Sequence, residues 1–172
     1  LDREQLAEAW GDIWSDPSIL QCEHNGESDR FHLAQVAPQR ERPLPATQRR
    51  FDTMLAHYVI EPEGKHGMDA LSEKYLGYEP IHIDELIGKK GKNQGNMRDV
   101  ELEKIVEYAG EDADITLQLH QTLWPRVEAN DKLRFIYEQI EIPTAQVLQR
   151  MERNGVLIDV ERLATQSHEL GS

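Results

Sequence analysis

Tyr108-Ala-Gly-Glu-Asp112-Ala-Asp114 stands at the centre of the stretch from Asp99 to Trp124, and the reading of that stretch decides the fold. Around it Leu102, Ile105, Val106, Ala109, Ala113, Leu117 and Leu123 recur at three- and four-residue steps, the period of an amphipathic helix with one buried face. Tyr108 and Asp112 are four residues apart, so they stand one above the other at the margin of that apolar stripe. Taken alone, such a pair is a core tyrosine beside a solvated acid. The blocks of sequence on either side point to chemistry instead.

Those blocks run in order from Phe51-Asp-Thr-Met-Leu55 through His66-Gly-Met-Asp69-Ala-Leu71 to Ile87-Gly-Lys-Lys-Gly-Lys-Asn-Gln94. They continue with Tyr108-x3-Asp112-Ala-Asp-Ile-Thr-Leu-Gln-Leu-His120, Ile140-Glu-Ile-Pro143 and Arg150-Met-Glu-Arg-Asn-Gly-Val-Leu-Ile-Asp159. In order and spacing the chain closely resembles the proofreading exonuclease region of the bacterial DNA polymerase I family, the family A DNA polymerases, running into the start of the polymerase region.

The resemblance implies an α/β, predominantly helical fold: a truncated ribonuclease H-like 3′-5′ exonuclease fold with few short strands, near residues 19–22 and 49–52. It implies that residues 1–130 are a partial exonuclease domain lacking its first strands. Residues 131–170 would then be the first helices of the polymerase domain, with Gly171-Ser172 an appended tail. Such exonucleases hydrolyse a phosphodiester with two divalent ions, Mg²⁺ or Mn²⁺, held by acidic residues from three motifs; the ions activate water and stabilise the departing oxygen.

Carried over by position, Tyr108 would orient the attacking water and Asp112 would be a metal ligand. Asn25-Gly-Glu-Ser-Asp29 has the spacing of the second motif, with Ser28 where the family has an aromatic residue, so Asn25 is a candidate DNA contact and Asp29 a candidate metal ligand. Ile83 matches an apolar position beside the terminal nucleotide. The first motif, an Asp-x-Glu on an opening strand, is missing: Asp2-Arg3-Glu4 has the letters but opens a helix. Two remaining ligands would bind ions weakly, so slight activity is expected of this polypeptide alone. Asp114 points elsewhere around the helix and reads as structural.

Composition bounds the alternatives. Hydrophobic residues make up 38% of the 172 and charged residues 30%, which suits one globular core and not a disordered tail. No apolar run approaches the roughly 20 residues that cross a bilayer, and Leu1-Asp-Arg-Glu has no signal-peptide character, so a cytoplasmic protein with no membrane partner is expected. The single cysteine, Cys22, excludes an internal disulfide. A net charge of −13 argues against coating nucleic acid by electrostatics alone, though a metal-dependent nuclease pocket is itself rich in carboxylates. The expected partners are a single-stranded DNA 3′ end and the rest of the polymerase chain. A homo-oligomer through exposed apolar surface is a further expectation.

Taken in order, Asp2 to Ser15 reads as a helix with Leu6, Trp10, Ile13 and Trp14 on one stripe, ended by Asp16-Pro17. A short helix is expected around Asp29 to Val36, then a long mobile loop carrying Arg40, Arg42, Arg49 and Arg50, either a DNA-facing patch or a solvated surface. Phe51 to Ile60 starts on a strand-like edge and becomes a helix through Met54, Leu55, Tyr58 and Val59, and helices follow over Gly67 to Gly77 and Ile83 to Ile87. The loop after them, with Lys89, Lys90 and Lys92, is the candidate phosphate contact; a plain surface loop is the competing reading. Pro143 should break Lys132 to Asn154 into two helices or kink one, and Asp159 should cap a last helix, Val160 to Leu170. A histidine-based zinc site around His24, Asp29 and His32 fits no established spacing. Two other functions stay open: a catalytically incompetent exonuclease-like scaffold or DNA-binding module, and an exoribonuclease of the same superfamily.

Overall fold

The computed structural model describes residues 5, 13, 16–36 and 49–171, with the side chains of 31 and 33–36 left aside. Apart from residues 5 and 13, both helical, the expected N-terminal helix lies outside the described residues, as does the loop holding Arg40 and Arg42. What is described is predominantly helical. Its order is β1 (Gln21–Glu23), α1 (Gly26–Val36), β2 (Arg50–Asp52), α2 (Thr53–Ile60), α3 (Met68–Leu76), α4 (Ile83–Ile87), α5 (Leu102–Glu128), α6 (Asp131–Ile136) and α7 (Ile142–Asn154). The last helix is α8 (Val160–Gly171).

β1 and β2 pair in parallel, with Cys22 opposite Phe51 and Glu23 opposite Asp52. A parallel pair needs a long crossover, and α1 lies within it. The register brings Asp52 beside the start of α1. Its carboxylate accepts from the backbone N–H of Asn25 (3.3 Å) and Gly26 (2.9 Å), and from those of Met54 (2.9 Å) and Leu55 (3.2 Å) at the start of α2. One side chain thus caps two helix N-termini, whose first N–H groups have no partner within their own helix. For this reason α1 begins at Gly26 and not near Asp29. The cap arrives from 26 residues away, beyond any local signal.

α5 packs against α2 and α3. Its buried residues are Ile115, Thr116, Leu119, Leu123 and Val127, which corrects the stripe read from the sequence: of that stripe Leu123 is buried, whereas Leu102 is 68% and Val106 63% exposed. The helix carries apolar residues on two faces, and only the C-terminal half meets the core. It also continues four residues past Trp124, through Pro125, to Glu128. The core gathers Phe51, Ala56, Val59, Leu71 and Tyr137 around that half of α5. Phe51 sits among three rings, with centroids 4.3 Å from His120, 5.8 Å from Trp124 and 5.2 Å from Tyr137.

Between α6 and α7 the helix relaxes into a π turn, Tyr137–Glu141, just ahead of Pro143. Proline removes one backbone donor and crowds the preceding turn, and the wider turn absorbs both defects. It also delivers Tyr137 to the core, where its hydroxyl accepts from Asp52 N–H at 2.7 Å. Beyond Asn154 none of the described residues is buried: Leu157 is 99% and Val156 89% exposed, and α8 starts where Asp159 accepts from Arg162 N–H at 3.0 Å.

Two expectations follow. Asp52→Ala strips the caps from α1 and α2 together and should cost about 2–4 kcal/mol in urea unfolding, twice an ordinary cap; a loss below about 0.5 kcal/mol would show that neither helix start needs it. Fully buried His57 lies with Nδ1 2.8 Å from Nδ1 of His66, tying α2 to the loop before α3. Burial, then the neighbouring His66 and Lys74, hold the His57 imidazole below its ordinary value of 6.5 against the pull of Glu61. The unfolded chain therefore binds that proton more readily, and the contribution of His57 is present above pH 6.5 and lost as pH falls. His57→Gln should flatten the acid limb of a thermal-stability profile.

Candidate exonuclease site

The helical face chosen by the Tyr-x3-Asp spacing is real. Tyr108 and Asp112 are both half-buried on α5 and near enough for each to shift the titration of the other. Burial, followed by the negative charge of Asp112 and the bond to it, pushes the Tyr108 phenol up to about 12. It is a protonated donor at neutral pH. Burial also raises the Asp112 carboxyl; the Tyr108 bond works against that rise, while Glu111 and Asp69 add to it. Asp114 lies exposed on another face, accepting from Gln118 Nε2 at 2.6 Å one turn on.

The Asn25–Asp29 segment is held from below by Asp52. Asn25 adopts a left-handed backbone, φ 58°, a conformation asparagine tolerates better than most residues, and is exposed at the head of α1. Asp29 is exposed one turn along the same helix. Partial burial raises its carboxyl, as does Asp52, against His32, Arg30 and His24, which lower it. Arg30 beside it is buried and committed to Glu23 on β1.

Asp29 and Asp112 do not form a single ligand group, and among the described residues no cluster of three or more His, Cys, Asp or Glu is placed to hold a metal ion. Electrostatics alone links the two segments. His24, whose Nδ1 is 2.8 Å from Thr53 Oγ1, feels both Asp29 and Asp69, and Asp69 in turn acts on Tyr108 and Asp112. Asp69 and Glu111 are neighbours of the pair to which sequence reasoning gave no role, and His24 was weighed only as a zinc ligand. For Glu111 the adjacency to Asp112 was a signal; the placement of His24 and Asp69 follows from how β1 and α3 meet α5, which no local spacing encodes.

Ile83 opens α4 and is 46% exposed. The loop beyond it is closed at its base by Gly95 N–H donating to Ile87 C=O at 2.7 Å. A Cβ on Gly95 would come 3.3 Å from that oxygen, so glycine suits the approach. Lys89, Lys90 and Lys92 lie exposed on this loop. They are far along the chain from Asn25, and the structure brings none of them into bonded contact with Tyr108 or Asp112.

Residues 2–128 match a family model described as a 3′-5′ exonuclease of the family A DNA polymerases. Over 172 residues the chain is 38% identical to DNA polymerase I of Pseudomonas aeruginosa, covering 99% of this chain and 18% of that protein. It is 43% identical over 159 residues to DNA polymerase I of Rhizobium leguminosarum, 92% of this chain and 15% of that one. With DNA polymerase I of Borreliella burgdorferi it shares 33% identity over 149 residues, 87% of this chain and 15% of the relative. It spans less than a fifth of the length of these relatives. With the match running from residue 2 to residue 128, well over half of its length, the chain belongs to the 3′-5′ exonuclease family of the family A DNA polymerases.

Proposed function

We propose that this chain is the part of a DNA polymerase I that carries the second and third motifs of its proofreading exonuclease, removing nucleotides from single-stranded DNA 3′ ends. The observation that carries the reading is the Tyr108–Asp112 pair. A phenol kept protonated beside a carboxylate can hold an attacking water or a phosphate oxygen, and Asp112 is a strong acceptor next to it.

The family generally works with divalent metal ions, and Mg²⁺ or Mn²⁺ is part of this proposal. The described acids do not by themselves fit a two-ion centre: Asp29 and Asp112 stand on separate helices without a third ligand beside either. No step is therefore derived through the ions. What the chain's own residues supply is orientation by Tyr108, an acid at Asp112, a second acid at Asp29, an apolar seat at Ile83, and cationic contacts for phosphates from Lys89, Lys90 and Lys92. Asn25 would face the strand at the head of α1. The three lysines offer positive charge that an overall −13 otherwise denies to DNA.

The same reading assigns residues 1–130 to a ribonuclease H-like exonuclease domain, with β1 and β2 among its strands, and residues 131–170 to the first helices of the polymerase domain. Exposed Leu102, Val106 and Leu117 on α5, with Val156 to Ile158, are then surfaces for the rest of the polymerase chain or for a second copy. Among the described residues no helix is long and apolar enough to cross a membrane, and we place the protein in the cytoplasm.

Incubated with Mn²⁺ and a 3′-labelled single-stranded oligonucleotide, the chain should release terminal nucleotides slowly. Asp112→Ala should abolish release, and Tyr108→Phe should slow it on the order of tenfold, the worth of one hydrogen bond in a transition state. Release undiminished in Asp112→Ala would remove that residue from the chemistry; no release together with no Mn²⁺ heat in calorimetry would leave a binding module. A second measurement needs no turnover: the Tyr108 ring carbon should titrate near pH 12 by NMR, and lower in Asp112→Asn. A midpoint near the ordinary 10.0 in the unaltered chain would mean that the pair does not form in solution.

A further inference from the structure

α4 has no fully buried residue; Leu86 and Ile87 are half-buried. The segment leading to it, residues 77–82, buries Pro80 and is held by polar attachments on either side of it. Gly77 turns the chain out of α3 in a left-handed conformation, φ 66°. Ser72 Oγ then donates to Tyr78 C=O at 2.7 Å. The Tyr78 hydroxyl donates to Glu111 Oε1 at 2.5 Å, and Ile81 N–H donates to Glu111 Oε2 at 2.7 Å. Both oxygens of one α5 carboxylate are thereby engaged by this segment. One residue on, His82 Nδ1 lies 2.9 Å from Asp69 Oδ2 on α3. These two anchors, Glu111 and Asp69, are also the acids that act on Tyr108 and Asp112.

We propose that Glu111 and Asp69 are positioning residues: they moor residues 78–82, and with them Ile83, beside the Tyr108–Asp112 pair, so that the Ile83 side chain meets the terminal base of a single-stranded 3′ end. What Ile83 meets rests on the nuclease reading above; the mooring itself does not. Glu111 is the stronger anchor, because it takes two donors, one of them a backbone amide. The Asp69–His82 anchor joins two half-exposed side chains and is the weaker. Among the described residues the charged groups facing His82 are acids: Asp69 on α3, Glu79 with Oε1 3.9 Å from Nε2, and Glu85 in the first turn of α4. The bond to Asp69, then these charges, raise the His82 imidazole above its ordinary 6.5. Its share of the mooring is complete below pH 6.5 and is lost as pH rises through the raised value.

The test pairs hydrogen exchange of the whole chain with fluorescence of a single-stranded oligonucleotide carrying 2-aminopurine at its 3′ end. Glu111→Ala should speed exchange of amides 81–87 about tenfold while the core amides of α5 stay protected, and weaken terminal-base quenching about fivefold. Tyr78→Phe, which removes one hydroxyl from a half-exposed side chain, should do the same to a smaller extent and guards against a folding defect in the first variant. Asp69→Asn should return the His82 NMR titration toward 6.5 and loosen 81–87 only on the acid side. Unchanged exchange of 81–87 in both Glu111→Ala and Tyr78→Phe overturns the mooring whatever the oligonucleotide does. Faster exchange with quenching unaltered, while Ile83→Ala abolishes quenching, overturns the positioning step. Quenching indifferent to Ile83→Ala, Glu111→Ala and Asp112→Ala alike, with exchange still faster, overturns the nuclease reading and its nucleotide contact and leaves the mooring standing.

Discussion

A single buried carboxylate, that of Asp52, accepts backbone hydrogen bonds from the head of α1 and from the first turn of α2. Its own N–H is in turn held by the hydroxyl of Tyr137, 85 residues further along the chain. Three distant segments thus converge on one residue at the end of β2. A helix N-terminus without an acceptor leaves amides unpaired, and a buried unpaired amide costs more than the bond itself contributes. Removing this residue would release α1, and with it the placement of Asn25 and Asp29 relative to α5. The strand pair is only three residues long on each side and is too short to fix that placement alone.

α5 divides its length between two tasks. Its C-terminal half supplies Ile115, Leu119, Leu123 and Val127 to the core, and these are closed off from solvent. Its N-terminal half presents Tyr108 and Asp112 at the edge of that core, with Leu102 and Val106 out in solvent. A helix anchored at one end by packing holds its other end rigidly, because backbone bonds transmit position along the axis. The chemistry-bearing pair is therefore placed without being buried, and half-burial is what lifts both the phenol and the carboxyl above their ordinary values.

The acids around this pair have different duties. Asp112 faces Tyr108, whereas Glu111, its immediate neighbour in sequence, turns away to take the hydroxyl of Tyr78 and the amide of Ile81. Asp69 reaches His82. Glu111 keeps its full charge, since both of its donors are neutral, whereas Asp69 is offset by His82 whenever that imidazole is protonated.

Much was legible in the sequence. Periodicity and turn residues located the helices, and Gly77, Asp159 and Pro143 marked where they start, end or change pitch, because these signals act over one turn of chain. The spacing of Tyr108 and Asp112 determined that they share a face, since 3.6 residues per turn allows nothing else. Which face of α5 is buried was not legible, because apolar residues stand on both sides and only the packing of α2 and α3 chooses between them. Nor was the start of α1, whose cap is Asp52, or the attachment of residues 78–82 to Glu111. Each of these is a contact between residues distant in the chain, and local sequence encodes the groups that can bond but not the partner that folding brings to them.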